Sequence, residues 1–270
     1  MLALKAMVPL GLLYTAIIVL PLHDAHPTYY YSRRNMVVEA VGPVDVVTQV
    51  DMNGKNTALT LRNTVVASPQ KIFVMGMPKS GTTSIMKFFR CGQRKTSHWL
   101  CANRKACGNC IYDNMQKNRD PIHNCGDFDV YAQMDRDGGD GKLCFFPQID
   151  ALDALHAYHP DATFILNLRP PDHWLKSVDS WKHLRKRLID CNISTLPKGV
   201  GGHDDEMLHW YTSHADMIRT FVKQHPSHRL VEVQIEDEDA GVTMEKAFGI
   251  PRTCWGHSNK NKRITKSEPP

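Results

Sequence analysis

Residues 76–83 read Gly-Met-Pro-Lys-Ser-Gly-Thr-Thr and directly follow an apolar run over 72–75. This pattern predicts a buried strand, a tight loop and the first turn of a helix. Such a loop collects backbone N–H groups and the positive end of a helix dipole around one small anion. The ammonium group of Lys79 adds a positive charge inside the loop. The sequence therefore predicts a binding site for a phosphate or sulfate group.

The loop differs from the Walker A pattern GxxxxGK[ST] in the position of its lysine. Gly76 and Gly81 have the Walker spacing, and Thr83 supplies the final hydroxyl. Lys79, however, precedes the second glycine, whereas the Walker lysine follows it and reaches the terminal phosphates of a nucleotide. The only candidate for a Walker B aspartate lies in the crowded acidic run 236–239. A P-loop kinase or nucleoside triphosphatase is therefore the alternative, and it would depend on magnesium.

A second group of residues surrounds Arg169. A strand predicted over 163–168 ends at this arginine, and residues 170–172, Pro-Pro-Asp, start a helix directly after it. Ser177 lies about one and a half turns into that helix. Ligands of open α/β sheets bind at the carboxyl ends of the strands, and a guanidinium group suits a phosphate. Arg169 is thus a candidate phosphate ligand; a surface ion pair is the alternative.

The two motifs together resemble the sulfotransferase family, whose donor is 3′-phosphoadenosine 5′-phosphosulfate (PAPS). The family's 5′-phosphosulfate loop reads Pro-Lys-x-Gly-Thr-Thr/Ser after a buried strand, as residues 78–83 do here. Its 3′-phosphate motif is an arginine that closes a strand and a serine eight residues later, and Arg169 and Ser177 match it. The resemblance spans roughly 69–260. It implies a sulfotransferase that moves a sulfuryl group from PAPS to a hydroxyl or amine.

The resemblance also implies a role for each matching residue. Lys79 would contact the sulfuryl group and the bridging oxygen, where its charge stabilises the leaving group without a metal. Arg169 and Ser177 would hold the 3′-phosphate. The residues that would hold the 5′-phosphate are Ser80, Gly81, Thr82 and Thr83.

The acceptor group still needs a base, and here the chain departs from the family. Cytosolic members carry a histidine in a register that falls on Pro147 in this chain. Many carbohydrate-directed members use a glutamate after the loop lysine, but no glutamate lies between Lys79 and Asp205. His98 is therefore the first candidate for the base, and a structural histidine is the alternative. The rival candidates are His123, Asp127, Asp129 and Asp135.

The rest of the pattern predicts the elements that position these residues. Strands alternate with helices from residue 69 onward, which predicts an α/β fold: a P-loop-type parallel sheet covered by helices on both faces, in a single domain over 69–270. Residues 23–68 predict a stem with a small hairpin. The predicted strands are 72–75, 163–168 and 230–235; the predicted helices are 80–90, 149–158, 172–187, 204–225 and 242–248.

Six of the eight cysteines lie within residues 91–144, a segment rich in Asp, Asn and Gly that predicts an irregular cysteine-rich insertion. In an oxidising compartment an even number of cysteines predicts disulfides. The alternative is zinc, with Cys107 and Cys110 as half a site and His98 or His123 nearby. The other half of such a site is missing, so no metal is expected.

Residues 6–22 are apolar and uncharged. They predict a signal anchor or signal peptide over 1–22, and we favour the anchor because no good cleavage site follows. Either would place the rest of the chain in the secretory lumen, and Asn192 begins a glycosylation sequon. We therefore expect a single-pass Golgi membrane glycoprotein with a luminal catalytic domain, or a secreted protein if the segment is cleaved.

The composition and the compartment limit the classes of binding partner that we expect. The net charge is +5, with lysines and arginines scattered along the chain, so nucleic acid is not expected as a partner. The compartment favours a glycan as the acceptor, while a tyrosyl protein or a small metabolite stays open. The non-enzymatic alternative is a cysteine-rich luminal binding protein that keeps a degenerate nucleotide fold.

Overall fold

The structure is a computed structural model that describes residues 47–50, 56–59, 70–138 and 143–256. Contacts divide the chain into two units, Met1–Ala67 and Ser68–Pro270. The predicted anchor over 1–22 lies outside the described residues. Across the described ranges, no helix is long and apolar enough to cross a membrane.

The first unit contains a two-stranded antiparallel sheet. Its strands are β1 (Val47–Val50) and β2 (Asn56–Leu59), and Val47 lies opposite Leu59 in the register. This pairing confirms the small hairpin predicted within residues 23–68.

The second unit is built on a parallel sheet of five strands. In chain order, the strands of this unit are β3 (Ile72–Val74), β4 (Thr96–Ser97), β5 (Val130–Tyr131), β6 (Arg136–Asp137), β7 (Cys144–Phe145), β8 (Thr163–Leu168) and β9 (Arg229–Gln234). The parallel sheet has the order β4–β5–β3–β8–β9, while β6 and β7 pair antiparallel with each other. The fully buried strand β3 lies at the centre, so the loop that follows it emerges from the middle of the sheet.

Helices cover both faces of this sheet, as predicted. They are α1 (Thr82–Cys91), α2 (Cys107–Met115), α3 (Pro147–Asp150), α4 (Leu152–Tyr158), α5 (Pro171–Asp179), α6 (Leu184–Asp190), α7 (Asp204–Gln224) and α8 (Ala240–Phe248). Successive residues of a strand face opposite sides. Val74 accordingly packs in one cluster with Phe88 of α1 and Met244 of α8. Phe73 packs in another cluster with residues of α2, α4 and α7, among them Ile218.

A third buried cluster joins α5, α6 and the first half of α7. It contains Met77 from the loop after β3, Trp174 from α5 and Trp210 from α7. Because Met77 follows the carboxyl end of β3, this cluster forms part of the floor on which the loop rests.

Two features differ from the sequence-based predictions. The cysteine-rich segment is not irregular throughout: it supplies α2 and two of the five sheet strands, β4 and β5. Each of these strands has only two residues, too few to leave a periodic signal. The helix predicted over 172–187 is broken between α5 and α6, because Lys182 and His183 adopt positive φ angles of 42° and 59°.

All eight cysteines form disulfides, which confirms the disulfide prediction. The pairs are Cys91–Cys254, Cys101–Cys107, Cys110–Cys125 and Cys144–Cys191. The zinc alternative is overturned, because both cysteines of the proposed half-site carry a disulfide instead of a free thiolate. Within the described residues, no group of His, Cys, Asp and Glu side chains could hold a metal ion.

Candidate active site

The loop between β3 and α1 has the geometry of an anion site. Lys79 and Gly81 adopt positive φ angles of 71° and 87°, which curl the backbone before α1 begins at Thr82. Backbone turns of this kind form concave nests of N–H groups. No side-chain hydrogen bond caps α1, and the first N–H groups of a helix lack the carbonyl partners one turn earlier that later N–H groups have. A side chain at Gly81 would meet Ile235 Cδ1 at 2.5 Å, so the position requires glycine.

Buried side chains from two other elements hold the loop. Asn167 of β8 accepts the N–H of Gly76 (2.9 Å) and donates to the carbonyl of Ser80 (2.7 Å). Trp174 of α5 donates its indole N–H to the carbonyl of Pro78 at 2.9 Å. Asn167 and Trp174 are both fully buried. The loop is therefore held at Gly76, Pro78 and Ser80.

Helix α7 supports both sequence motifs. His214 donates its Nε2–H to the carbonyl of Met75 at 2.6 Å, just before the loop. Burial lowers the pKa of His214 to about 4, so its ring is neutral at physiological pH. The Tyr211 hydroxyl accepts the N–H of Arg169 (2.8 Å) and donates to the carbonyl of the same residue (3.0 Å). The end of β8 is thereby fixed next to the loop.

A cavity of about 280 Å³ opens above the loop, at the carboxyl ends of the strands. It brings together the two motifs that the sequence analysis singled out. Ser80 is the exception: it is fully buried beneath the loop, and its N–H bonds to the carbonyl of Met77. The predicted nucleotide-binding residues that line the cavity are Lys79, Gly81, Thr82, Thr83, Arg169 and Ser177.

Lys79 is half-buried in this cavity. The pKa of its ammonium group is lowered to about 8, mainly by burial and to a smaller extent by the charge of Arg169. Its Nζ lies 3.7 Å from the centroid of the Trp181 indole ring. The lysine is still mostly protonated at neutral pH, and its charge faces the cavity that Trp181 also lines.

Arg169 belongs to a hydrogen-bonded network of three ionisable side chains. Its Nε donates to Glu236 Oε1 at 2.5 Å, and His173 Nδ1 lies 2.5 Å from Glu236 Oε2. Burial alone would raise the pKa of Glu236, but the hydrogen bonds and charges of His173 and Arg169 lower it below its usual range. Glu236 is therefore ionised. The arginine does form an ion pair, but inside the cavity and with only 18% of its side chain exposed.

His98 lies directly after β4 and beside the loop. Its Nε2 is 3.2 Å from Thr82 Oγ1 and 3.3 Å from Thr83 Oγ1. The pKa of His98 is lowered, mainly by burial and to a smaller extent by the charge of Arg90. The imidazole is therefore neutral at physiological pH and can accept a proton.

The four rival bases lie elsewhere. His123 is exposed, and Asp127 pairs with Lys95 on the surface. Asp129 accepts the backbone N–H of Lys95. Asp135 is buried, and burial raises its pKa to about 6. None of these four residues is among the described residues that line the cavity.

Sequence reasoning missed several residues of the site. Asn167 left a signal, because its polar side chain interrupts the apolar end of β8. Gln133, Trp181 and Glu236 lie in loops outside both motifs, and Asp137 ends the two-residue strand β6, so no local pattern selected them. The missed residues that line the cavity include Gln133, Asp137, Trp181 and Glu236.

Comparison with known proteins agrees with this geometry. A family model described as a sulfotransferase domain matches residues 71–241, well over half of the chain, and the match contains both motifs. No curated protein sequence matches the chain. The loop and Arg169, both within the matched domain, line the same cavity. The chain therefore belongs to the sulfotransferase family and is an enzyme of sulfuryl transfer.

Proposed function

We propose that this sulfotransferase takes its sulfuryl group from PAPS and transfers it to a hydroxyl or amine of a glycan in the secretory pathway. The observation that carries the proposal is that two motifs far apart in sequence line one cavity. Lys79 and the loop form one part of its wall, and Arg169 with Ser177 forms another. A donor with a 5′-phosphosulfate and a 3′-phosphate has two anionic groups to match these two sets of residues.

On the donor side, the N–H groups at the start of α1 and the hydroxyls of Thr82 and Thr83 would bind the 5′-phosphate. The Lys79 ammonium would stabilise the negative charge that develops on the bridging oxygen as the S–O bond breaks. Arg169 uses its Nε for Glu236, which leaves its two terminal nitrogens to donate to the 3′-phosphate. Ser177 would complete that subsite.

On the acceptor side, His98 would act as the base. The acceptor oxygen or nitrogen attacks sulfur, the bond from sulfur to the bridging oxygen breaks, and the acceptor proton passes to His98 Nε2. The contacts of this nitrogen with Thr82 and Thr83 support the assignment, because they place it beside the loop that would hold the sulfuryl group. Asp137 also lines the cavity, but it pairs with Arg187 at 2.9 Å.

The glycan acceptor and the compartment rest on a different set of observations. Four disulfides suit an oxidising lumen. Asn192 of the sequon is exposed, as a glycosylation site must be. With the apolar segment over 6–22, these features support a Golgi enzyme held by a single N-terminal anchor. This compartment, rather than any residue of the cavity, favours a glycan as the acceptor.

Ligand-induced stabilisation tests the donor. We expect adenosine 3′,5′-bisphosphate (PAP) to raise the melting temperature without added metal, because a ligand at 100 times its Kd stabilises by about 2.7 kcal/mol. Lys79→Ala and Arg169→Ala should abolish the shift. Lys176→Ala, an exposed lysine on α5 beside Ser177, serves as the matched control and should keep it. Stabilisation by ATP with Mg²⁺ instead would favour a kinase or triphosphatase, and stabilisation by neither would favour a non-catalytic protein.

Transfer of radiolabelled sulfate from PAPS tests the acceptor. A panel of glycans, tyrosine-containing peptides and lipids should show label on glycans. Label only on peptides or lipids would refute the glycan part of the proposal and leave the donor part standing.

A further inference from the structure

Trp181 occupies an unusual position for a large aromatic side chain. It lies in the break between α5 and α6, lines the cavity and exposes 43% of its surface. The Lys79 ammonium lies 3.7 Å from its ring centroid, within the range of a strong cation–π contact. Among the described residues, no carboxylate forms an ion pair with Lys79. The indole face therefore takes the place that a carboxylate counter-ion often fills.

This substitution of a π face for a carboxylate matters for an anionic donor. A carboxylate beside Lys79 would cancel the lysine charge and repel a phosphosulfate. An indole face attracts the ammonium through its quadrupole but carries no net charge. It can hold the lysine in place and leave the positive potential of the loop intact.

The other charged groups around Lys79 come from every wall of the cavity. Arg169 disfavours the protonated lysine, and Lys182 Nζ lies 5.3 Å from the centroid of the same indole. Glu236 is already engaged by Arg169 and His173, while Asp137 pairs with Arg187. His98 is neutral at physiological pH. Trp181 is thus the group that stabilises the Lys79 charge from closest range.

We propose that Trp181 is a positioning residue for Lys79, which holds the ammonium in the cavity and favours its protonated form. The proposal rests on the proposed function, in which Lys79 acts on the sulfuryl group. Because burial and Arg169 already lower the pKa of Lys79 to about 8, a modest loss of stabilisation changes its charge at physiological pH. Trp181 would then set the alkaline limit of donor binding.

The substitution Trp181→Leu tests this role, since it removes the π face but keeps an apolar cover over Lys79. Acetic anhydride labelling of Lys79 as a function of pH reports its pKa without any nucleotide. We expect this pKa to fall by roughly 0.5–1 unit in Trp181→Leu and by less in Trp181→Phe. The matched control is Trp99→Phe, which alters a tryptophan of similar exposure (45%) that does not line the cavity, and it should leave the pKa unchanged.

The pH dependence of PAP binding provides a second measurement. The alkaline limb of the binding curve should move to lower pH in Trp181→Leu by the same amount, while affinity at pH 6 stays near that of the wild type. A Lys79 pKa that is unchanged or higher in both Trp181 variants would overturn the proposal. If the leucine variant does not fold, the phenylalanine variant decides the matter. A wild-type protein that fails to bind PAP refutes the donor proposal, whereas the labelling result still judges Trp181.

Discussion

On one side of the cavity, side chains from three elements of the core hold the chain at residues 75–80: Asn167 from β8, Trp174 from α5 and His214 from α7. On the other side, His98 follows a strand of two residues at the edge of the sheet. A short disulfide-closed turn, Cys101–Cys107, comes directly after it. Buried hydrogen bonds thus fix the side of the cavity formed by the loop at residues 76–81, which we call the loop wall. A disulfide stabilises the side that carries His98 and the Cys101–Cys107 turn, which we call the His98 wall.

This difference shows that two kinds of interaction stabilise the two sides of the cavity. Hydrogen bonds in a fully buried core hold backbone positions tightly, because each broken bond leaves an unsatisfied polar group. An edge segment cannot bury enough surface for this, so disulfides limit its freedom instead. Under the proposed function, the donor would meet the wall held by buried hydrogen bonds, and the acceptor would meet the wall stabilised by a disulfide. Four predictions test this contrast, in order of decreasing effect.

The largest effect should come from His98→Ala. Loss of a general base costs about 10²–10⁴ in turnover, so transfer of labelled sulfate should nearly vanish while PAP affinity changes little. His123→Ala, which alters an exposed histidine of the same cysteine-rich segment, is the control and should retain activity. Near-normal turnover in His98→Ala would remove His98 from the mechanism.

Asn167→Ala should show how strongly the loop wall depends on buried hydrogen bonds. The change leaves the N–H of Gly76 and the carbonyl of Ser80 without their partner, at about 1–3 kcal/mol for each. We expect a loss of about 2–4 kcal/mol in the free energy of unfolding by urea, together with weaker PAP binding. Gln133→Ala, on the His98 wall, removes two long contacts of 3.4 Å, one with Thr82 Oγ1 and one with Asp135 Oδ2, and should cost less. Equal losses in the two variants would erase the contrast.

Replacing both Cys101 and Cys107 by serine should act mainly on the His98 wall. The closed loop is short, so the chain-entropy cost is about 2 kcal/mol of stability. We expect sulfate transfer to fall more than PAP affinity, because the turn after His98 loosens while the donor loop is held elsewhere. Urea unfolding and PAP titration of the same sample separate the two effects. A parallel fall in PAP affinity would show that the walls are not independent.

The smallest effects should appear in the pH dependence of stability, with opposite signs for the buried groups His214 and Asp135. The folded-state pKa of His214 is lowered to about 4, so its contribution is present above pH 6.5 and is lost as pH falls toward 4. Between pH 7 and 5 this loss is about 2 kcal/mol. The folded-state pKa of Asp135 is raised to about 6, so its contribution is present below pH 3.8 and is lost as pH rises through 6.

Two variants isolate these contributions. His214→Gln keeps a donor for the carbonyl of Met75 but does not titrate, so its stability should fall by about 2 kcal/mol less than that of the wild type between pH 7 and 5. Asp135→Asn should miss a gain of about 1 kcal/mol over the same interval. Urea unfolding at the two pH values measures both. Changes of the same sign in the two variants would contradict the assignment.

Local patterns predicted the parts of the fold that are long or buried. The predicted strand 163–168 matches β8, because a continuous apolar run between turn signals is typical of a buried parallel strand. Helix α7 differs from its predicted bounds by one residue, since its apolar stripe extends over many turns. The break at Lys182 and His183 was not predicted, because neither residue type signals the positive φ that the packing imposes there.

Two local motifs predicted the sulfotransferase family from the sequence alone: Lys79 in a glycine-bounded loop, and Arg169 at the end of a strand with Ser177 eight residues later. Those signals are local, because each motif is a strand end, a turn and a helix start that are adjacent in the chain. No local pattern indicated that His98 meets Thr82 from the sheet edge; that contact follows from tertiary packing. Tertiary packing likewise decided that Trp181 and Glu236 enter the same cavity. Such contacts join distant residues, and they depend on how the whole sheet and its helices pack.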